Sequence, residues 1–296
     1  MLRLREDIPL FPGGKKKAFT LSSDDGVTQD GRLTALMRKY EIKGTFHLNS
    51  GLMGDRDWLI QPGIDVSHYK YKKEEAAEIY NGFEIAVHTV THPDLTRIPP
   101  AMASYEIAAD KKELEELVHH PVLGMSYPFG TFNDSVKQTA KNCGIFYSRT
   151  IIETNSFQLP ADFMEWNPTC HYCSESRMAL AQTFLDSDTS CEYKAPLLFY
   201  VWGHAYQLDA YNDWDSLENF FKMIGGNDEI WYASNIEICS YMHAVKSLIY
   251  SSTGDYIFNP SSTDVWMQID GQAYCIRSGE TVAINWHHKD DAAKFN

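Results

Sequence analysis

The sequence predicts an α/β protein in which a parallel sheet curls into a closed or nearly closed barrel, followed by a small antiparallel β appendage. Short apolar, β-rich runs alternate with stretches of helical period along most of the chain, which is typical of βαβ units. This alternation repeats about seven times, which favours a barrel. After Leu248 the pattern changes to short strands separated by turn dipeptides.

The predicted strands of the barrel are apolar and rich in β-branched and aromatic residues. They are Ala18–Leu21, Gly44–Leu48, Phe83–Val87, Pro121–Tyr127, Ile145–Ile151, Leu197–Val201 and Ile230–Ala233. The intervening helices are indicated by apolar stripes at i, i+3, i+4 and i+7, as at Leu33, Leu36, Met37 and Tyr40. A longer helix is predicted over Ala101–His119, and Asn133 is expected to cap the helix that ends near Gly144.

Two segments interrupt the alternation. The polar stretch Asp55–Lys73 is expected to be a loop or a small insertion beside the site. Near the C-terminus, Asp270-Gly271 predicts a hairpin within the antiparallel appendage. We therefore expect a barrel domain over residues 1–246 and an appendage over residues 247–296, with the last dozen residues frayed.

Composition and charge limit the possible partners. The 296 residues include 44% hydrophobic residues, enough for a large core, and the formal net charge is −14. An acidic chain is a poor partner for nucleic acid or anionic membranes, and no apolar run approaches the roughly 20 residues of a membrane helix. We expect a soluble protein without membrane insertion. The N-terminus lacks the apolar region of a secretion signal, which favours the cytoplasm, although a trimmed secreted form would read the same.

The six cysteines are expected to be free thiols in a chain of this length. They are Cys143, Cys170, Cys173, Cys191, Cys239 and Cys275. The pair Cys170 and Cys173 forms a lone CxxC motif, which is a weak indication of metal or redox use.

Polar residues cluster where predicted strands end. Asp24 and Asp25 follow the first strand, His88 follows the third, and His204 follows the strand that begins at Leu197. Because the carboxyl ends of parallel barrel strands share one face, these segments should meet at one rim, which is where barrel active sites form.

His88 and His92 stand at i, i+4 spacing, but Pro93 disfavours a helix there. A loop carrying two imidazoles, together with one carboxylate, leaves a coordination position open, as in catalytic zinc sites. The alternative is a pair of exposed or hydrogen-bonded histidines. Asp24 and Asp25 can divide their work, one as a metal ligand and the other as a proton acceptor. The alternative is that one of them caps the helix that follows.

In these motifs the chain resembles the polysaccharide deacetylase family, the NodB-homology or carbohydrate esterase 4 group. The resemblance covers about Lys15 to Met242 and rests on four motifs in this order: Asp24-Asp25-Gly26, His88-Thr-Val-Thr-His92-Pro-Asp-Leu, Tyr127-Pro-Phe-Gly130 and Gly203-His204. It implies a distorted (β/α)7-type barrel and the hydrolysis of acetyl groups on glycans with one divalent metal.

The resemblance also implies residue roles. Asp25, His88 and His92 would hold the metal, Asp24 would be the general base and His204 the general acid. The backbone N–H of Phe129 would help to stabilise the oxyanion. We expect Zn²⁺, while Co²⁺, Ni²⁺ and Mn²⁺ suit the same ligand set.

The sequence departs from the family pattern at several positions. Ser126 stands where the family usually carries an arginine that orients the base, and Arg149 is the candidate replacement. The usual Asp-Trp appears as Glu165-Trp166, and Trp166 is either a sugar-stacking wall or a core residue. Further candidate substrate contacts are Tyr127, Pro128, Trp202 and Arg149. We read His47, His171 and His243 as structural or surface residues, with His171 a possible pocket residue.

The expected substrate is an acetylated sugar or oligosaccharide. Hydrolysis of a cyclic imide or ureide is a second interpretation, because related enzymes of the superfamily act on such small amides. A catalytically silent glycan-binding relative is a third. The sequence sets neither amide or ester preference nor oligomeric state.

Overall fold

The structure, a computed structural model, describes residues 5–188 and 195–284. The chain forms two compact units. One comprises residues 18–187 and 197–239, and the other comprises residues 1–17, 188–196 and 240–296. The division predicted between residues 246 and 247 remains a prediction. Cys191 and the last dozen residues, for which a free thiol and a frayed tail were predicted, lie outside the described residues. The other five cysteines are free thiols.

Sixteen strands occur in the described part of the chain. They are β1 (Asp7–Leu10), β2 (Lys17–Asp24), β3 (Gly44–Leu48), β4 (Arg56–Gln61), β5 (Ile64–Tyr69), β6 (Glu84–Val87), β7 (Gly124–Ser126), β8 (Tyr147–Arg149), β9 (Cys170–His171), β10 (Leu197–Gly203), β11 (Ile230–Tyr232), β12 (Ile249–Tyr250), β13 (Tyr256–Phe258), β14 (Val265–Ile269), β15 (Gln272–Ile276) and β16 (Thr281–Ala283).

Eight α-helices lie in the same described ranges. They are α1 (Asp30–Lys39), α2 (Lys73–Ile79), α3 (Pro100–Val118), α4 (Asp134–Asn142), α5 (Arg177–Asp186), α6 (Ala205–Ala210), α7 (Trp214–Ile224) and α8 (Asn235–Lys246). The predicted helix stripes are confirmed, since Leu33 and Met37 are buried on α1. The predicted cap is also confirmed, because the Asn133 side chain accepts a hydrogen bond from the backbone N–H of Val136. None of the helices in these ranges is both long and apolar enough to cross a membrane.

Seven strands form the curled parallel half-barrel in the order β8-β7-β6-β3-β2-β10-β9, and β11 pairs with β2 outside this path. All eight residues of β2 are buried, as expected for a central parallel strand covered on both faces. The α/β barrel prediction is therefore confirmed. The carboxyl ends of these strands carry the predicted site residues.

The polar segment between β3 and β6 forms an antiparallel hairpin of β4 and β5. Of the two predicted alternatives, a loop or a small insertion, the structure shows a small insertion of regular structure. The outer strand β4 is largely exposed, whereas Ile64 and Val66 of β5 join the apolar core of this unit.

The other unit contains two antiparallel three-stranded sheets, β1-β14-β15 and β12-β13-β16. The hairpin predicted at Asp270-Gly271 is confirmed, because Ile269 pairs with Gln272 across β14 and β15. Ile257, Val265 and Ile276 are fully buried in its apolar core. The antiparallel appendage therefore exists as predicted, with the N-terminal strand β1 as an added member.

Candidate metal and catalytic site

Residues from four separate strands meet at the carboxyl edge of the half-barrel. Asp24 is the last residue of β2 and Asp25 follows it, while His88 follows β6 directly. Arg149 ends β8 and His204 follows β10. Parallel strands that end at one edge bring residues that are distant in sequence into contact.

Asp25, His88 and His92 form a cluster that fits a metal ion. Each offers one ligand atom, and these atoms lie within 4.8 Å of one another. Oδ1 of Asp25 is 3.8 Å from Nε2 of His88 and 4.0 Å from Nε2 of His92. Two ligand atoms that share an ion at about 2.1 Å can be at most about 4.2 Å apart. Both carboxylate–imidazole distances satisfy this limit.

The His88 ring is held in the orientation that a metal ligand needs. Its Nδ1 lies 3.0 Å from the carbonyl oxygen of Ser126 and 2.7 Å from the Ser126 hydroxyl. Since the carbonyl can only accept, Nδ1 carries the proton and Nε2 keeps its lone pair toward Asp25. Burial lowers the pKa of His88 to about 3 and also lowers the pKa of His92. Both rings are therefore neutral near pH 7, the form that coordinates metals.

The Asp25 carboxylate is supported by two residues of the hairpin segment. Oδ2 of Asp25 is 3.3 Å from Nε2 of His68. The ammonium of Lys70 donates to the Asp25 carbonyl oxygen at 2.6 Å and lies 3.8 Å from its Oδ1. Burial alone would raise the pKa of Asp25, but Lys70 and then His68 outweigh it and hold the pKa well below its usual value. The carboxylate therefore stays ionised.

Asp24 is buried among polar partners from three neighbouring strands. The Arg149 guanidinium donates to its Oδ2, and the Ser126 hydroxyl donates to its Oδ1 at 3.3 Å. Nδ1 of His47 lies 2.9 Å from the same Oδ1. Burial would raise the pKa of Asp24, but Arg149, followed by His88 and His47, holds it well below its usual value. Asp24 is thus an ionised carboxylate next to the cluster of Asp25, His88 and His92.

Asp25, His92 and Phe129 are among the residues at this edge that adopt the left-handed backbone conformation, which disfavours side chains. The φ angles are 78° for Asp25, 58° for His92 and 58° for Phe129. Such strained positions cluster at active sites and ligand clamps. Within residues 5–188 and 195–284, no hydrogen-bond acceptor lies opposite the Phe129 N–H, while the Phe129 ring packs on His92 at 4.6 Å between centroids.

His204 lies at the start of α6 among aromatic rings. Its ring centroid is 5.5 Å from that of Trp202 and 5.3 Å from that of Tyr206. Nδ1 of His204 is 3.0 Å from Oε1 of Gln207, and the same oxygen lies 2.9 Å from Nε2 of His171. His171 therefore belongs to this cluster, as the less favoured interpretation of the sequence allowed.

The predicted substrate contacts are buried. Trp166 is 1% exposed and packs on Tyr200 at 4.9 Å between centroids, so it is a core residue without a free ring face for a sugar. Tyr127 is 1% exposed, and Pro128 next to it is buried as well. Arg149 is 0% exposed and is paired with Asp24. These four side chains are buried in the structure, and their contact with a substrate stays a prediction.

Trp202, the remaining predicted substrate contact, is 7% exposed. Its ring lies 4.3 Å below the guanidinium carbon of Arg149, a cation–π arrangement that fixes the guanidinium. Glu165, in the place of the expected Asp, forms an ion pair with Lys137. The aromatic side chain that is open at this edge is Phe129, which is 58% exposed.

Sequence reasoning missed His68 and Lys70, and it read His47 as structural or surface. The spacing of His68 and Lys70 could have identified them, because residues two apart on an extended strand face the same side. His47 follows from register, since it is the partner of Asp24 across β2 and β3. His243 lies in the other unit and is exposed on α8.

Comparisons with known proteins agree with this architecture. Residues 12–148 match the model of the family described as polysaccharide deacetylase. YxkH of Bacillus subtilis (strain 168), named "Putative polysaccharide deacetylase", is 24% identical over 130 residues, which is 44% of this chain and 43% of that protein. The match thus spans less than half of the length of the curated relative.

Two solved structures share the fold. A Mycobacterium smegmatis protein of the same description superposes with a TM-score of 0.56 at 15% identity, covering 81% of this chain and 94% of that one. The Xyl-CE4 domain of a multidomain xylanase from the hindgut metagenome of Trinervitermes trinervoides gives a TM-score of 0.50 at 15% identity, covering 77% and 92%. Over residues 12–148 this chain is therefore similar in sequence to the polysaccharide deacetylase family, and it shares the fold of these solved structures.

Proposed function

We propose that this protein is a metal-dependent deacetylase that removes acetyl groups from an N- or O-acetylated sugar or oligosaccharide. The observation that carries the proposal is the Asp25–His88–His92 cluster with the ionised carboxylate of Asp24 directly beside it. His204 lies at the same edge of the sheet. The match of residues 12–148 to the polysaccharide deacetylase model supports the reaction class.

The proposed metal ligands are Asp25, His88 and His92. A divalent cation held there, Zn²⁺ by expectation, would supply Lewis acidity to the acetyl carbonyl and to a water molecule. Asp24 would accept the proton of the attacking water at a carboxylate oxygen, and Arg149 keeps that carboxylate ionised and oriented. Nε2 of His204 would give a proton to the departing amine or alcohol.

The backbone of Phe129 would supply the remaining stabilisation. Its N–H is a donor without an acceptor in the described residues, and it belongs to a turn that contacts His92 through the Phe129 ring. A fixed donor aimed at a developing oxyanion lowers the barrier of acyl transfer. The 58% exposed ring of Phe129 would line the entrance for the sugar.

A substrate panel tests the reaction. Protein loaded in turn with zinc, cobalt, nickel or manganese is assayed for acetate release from acetylated chito-oligomers and acetylated xylan, and for ring opening of cyclic imides. Acetate release supports the proposal. Ring opening alone would assign the imide or ureide hydrolase, and glycan binding without turnover would assign the silent relative.

Variants test the residues. We expect His88→Ala to lose both bound metal and turnover, whereas Asp24→Asn keeps the metal and loses most turnover. His120→Ala is the matched control, because His120 is exposed on the surface, and it should change neither. Retention of stoichiometric metal by His88→Ala would refute the proposed site.

A further inference from the structure

We infer that Gln207 and His171 are positioning residues that keep the proton of the neutral His204 ring on Nδ1, an inference that rests on the proposed acid role of His204. They form a hydrogen-bond chain that begins at a backbone amide and ends at His204. Each link of this chain fixes the proton of the next.

The first link fixes His171. The backbone N–H of Cys173 donates to Nδ1 of His171 at 3.0 Å. A ring nitrogen that accepts a hydrogen bond carries no proton, so the proton of the neutral ring is on Nε2. Burial lowers the pKa of His171 to about 3, and the ring is therefore neutral at physiological pH.

The second link fixes Gln207. Because Nε2 of His171 is a donor, the Gln207 amide must present its oxygen to it, and the distance between the two atoms is 2.9 Å. This orientation of the amide follows from the backbone donor two steps away. Gln207 stands three residues after His204, at the first turn of α6, which brings its side chain back toward the His204 ring.

The third link fixes His204. The same Oε1 of Gln207 lies 3.0 Å from Nδ1 of His204. A carbonyl oxygen has two lone pairs and no proton, so it can serve both rings only if both nitrogens are donors. If the proton of the neutral ring were on Nε2, the lone pair on Nδ1 of His204 would face a lone pair on Oε1 of Gln207.

The consequence concerns the reacting nitrogen. With the proton held on Nδ1, the lone pair of neutral His204 is on Nε2. That nitrogen can take up a proton and then release it to the leaving group, while Nδ1–H stays bonded to Gln207 throughout. Trp202 and Tyr206 pack against the ring, so rotation to exchange the two nitrogens is hindered.

The experiment reads the proton position directly. Proton–nitrogen correlation spectra of the nitrogen-15-labelled full chain, without added metal, distinguish the two forms of each histidine. His204→Gln identifies the signal of His204. We expect the Nδ1–H form in the wild type and in Gln207→Glu, which keeps an acceptor oxygen, and a mixture of forms in Gln207→Leu. A wild-type His204 with its proton on Nε2, or an unchanged signal in Gln207→Leu, would overturn the inference.

Kinetics of the loaded enzyme form the second arm. Gln207→Leu should lower kcat about 10- to 100-fold with KM little changed, because substrate binding is intact while proton transfer is impaired. Gln207→Glu should rescue kcat. Gln182→Leu is the control, because Gln182 is an exposed glutamine of α5 bonded to Asp186. A changed proton position with unchanged kcat would remove the positioning role, whereas absence of any deacetylation would reject the proposed function without affecting the spectra.

Discussion

Ser126 and Arg149 are direct partners across the parallel strands β7 and β8, and both contact the carboxylate of Asp24. Ser126 also holds His88 through its side-chain hydroxyl and its backbone carbonyl oxygen. Arg149, on the next strand, thus supplies a cation near Ser126, the position at which the family usually carries an arginine. The register between β7 and β8 aligns the two residues. The cation that is absent at Ser126 is therefore present one strand away, beside Asp24.

Removing this cation should damage both stability and turnover. Arg149→Ser leaves the buried Asp24 carboxylate unpaired, which typically costs about 3 to 5 kcal/mol. We expect the free energy of unfolding, measured by urea denaturation, to fall by about that amount, and turnover to fall at least 100-fold, about the share of a general base. Arg97→Ser, at a largely exposed arginine, should change neither; equal effects of the two variants would contradict the role of Arg149.

Moving the cation back to β7 should restore part of the loss. In the double variant Ser126→Arg with Arg149→Ser, the new arginine stands beside Asp24 on the neighbouring strand. Turnover should exceed that of Arg149→Ser alone, although the lost Ser126 hydroxyl loosens His88. A double variant no better than the single one would show that the strand position of the cation matters as much as its charge.

The hairpin should affect metal affinity through His68. Its Nε2 lies against Oδ2 of Asp25 at 3.3 Å, and loss of such an outer partner of a ligand typically weakens metal binding about 10- to 100-fold. His68→Leu should show this loss in competition titrations with a chromophoric chelator. His120→Leu serves as the surface control, and equal affinities of the two variants would exclude the contact.

Trp166 should behave as a core residue. Its ring packs on Tyr147, Phe163 and Tyr200, and truncation of a buried tryptophan to alanine costs about 3 to 5 kcal/mol. Trp166→Ala should lose that much stability in urea denaturation, and Trp166→Phe should leave KM for the glycan unchanged. Tyr211→Ala, at a ring that is 49% exposed, is the stability control. A raised KM in Trp166→Phe would return Trp166 to the substrate surface.

Asp30 should make stability fall as pH rises. Burial raises its pKa from 3.8 to about 7, although Tyr80 and Ser23 donate hydrogen bonds to it. Between these values the folded chain holds a proton that the unfolded chain has released, so the unfolding free energy decreases with pH by up to about 1.4 kcal/mol per unit from this group. From pH 3.8 to about pH 7, the unfolding free energy of Asp30→Asn should therefore rise relative to that of the wild type by up to about 1.4 kcal/mol per pH unit. Asp57→Asn, at an exposed aspartate, should run parallel to the wild type, and so should Asp30→Asn if the interpretation is wrong.

The elements that sequence predicts well depend on local signals. The cap at Asn133, the buried stripe of α1 and the turn at Asp270-Gly271 each depend on residues within a few positions of one another. The ends of the strands could also be predicted locally, because polar residues follow a buried strand where it ends. Local patterns were therefore sufficient for the barrel and for the edge that carries Asp24, Asp25 and the histidines.

The neighbours of these side chains depend on pairing that no local pattern encodes. His47 meets Asp24, and Ser126 meets Arg149, because of the register between adjacent strands. The hairpin was missed because its outer strand is exposed and lacks an alternating apolar face. Gln207 was missed because a glutamine near a helix start has many uses, and its role depends on a backbone amide at Cys173.

The two carboxylate oxygens of Asp25 have different partners. Oδ1 faces His88 and His92, and Oδ2 faces His68 of the hairpin. The outer strand of that hairpin leaves Trp58 57% and Ile60 76% exposed, which places it among the parts of a fold that open most readily. We therefore expect local opening of the hairpin to displace the Asp25 carboxylate that faces it. An ion bound to Oδ1 of Asp25 would in turn slow amide hydrogen exchange in β5. Exchange in the hairpin would therefore report whether the cluster of Asp25, His88 and His92 is occupied.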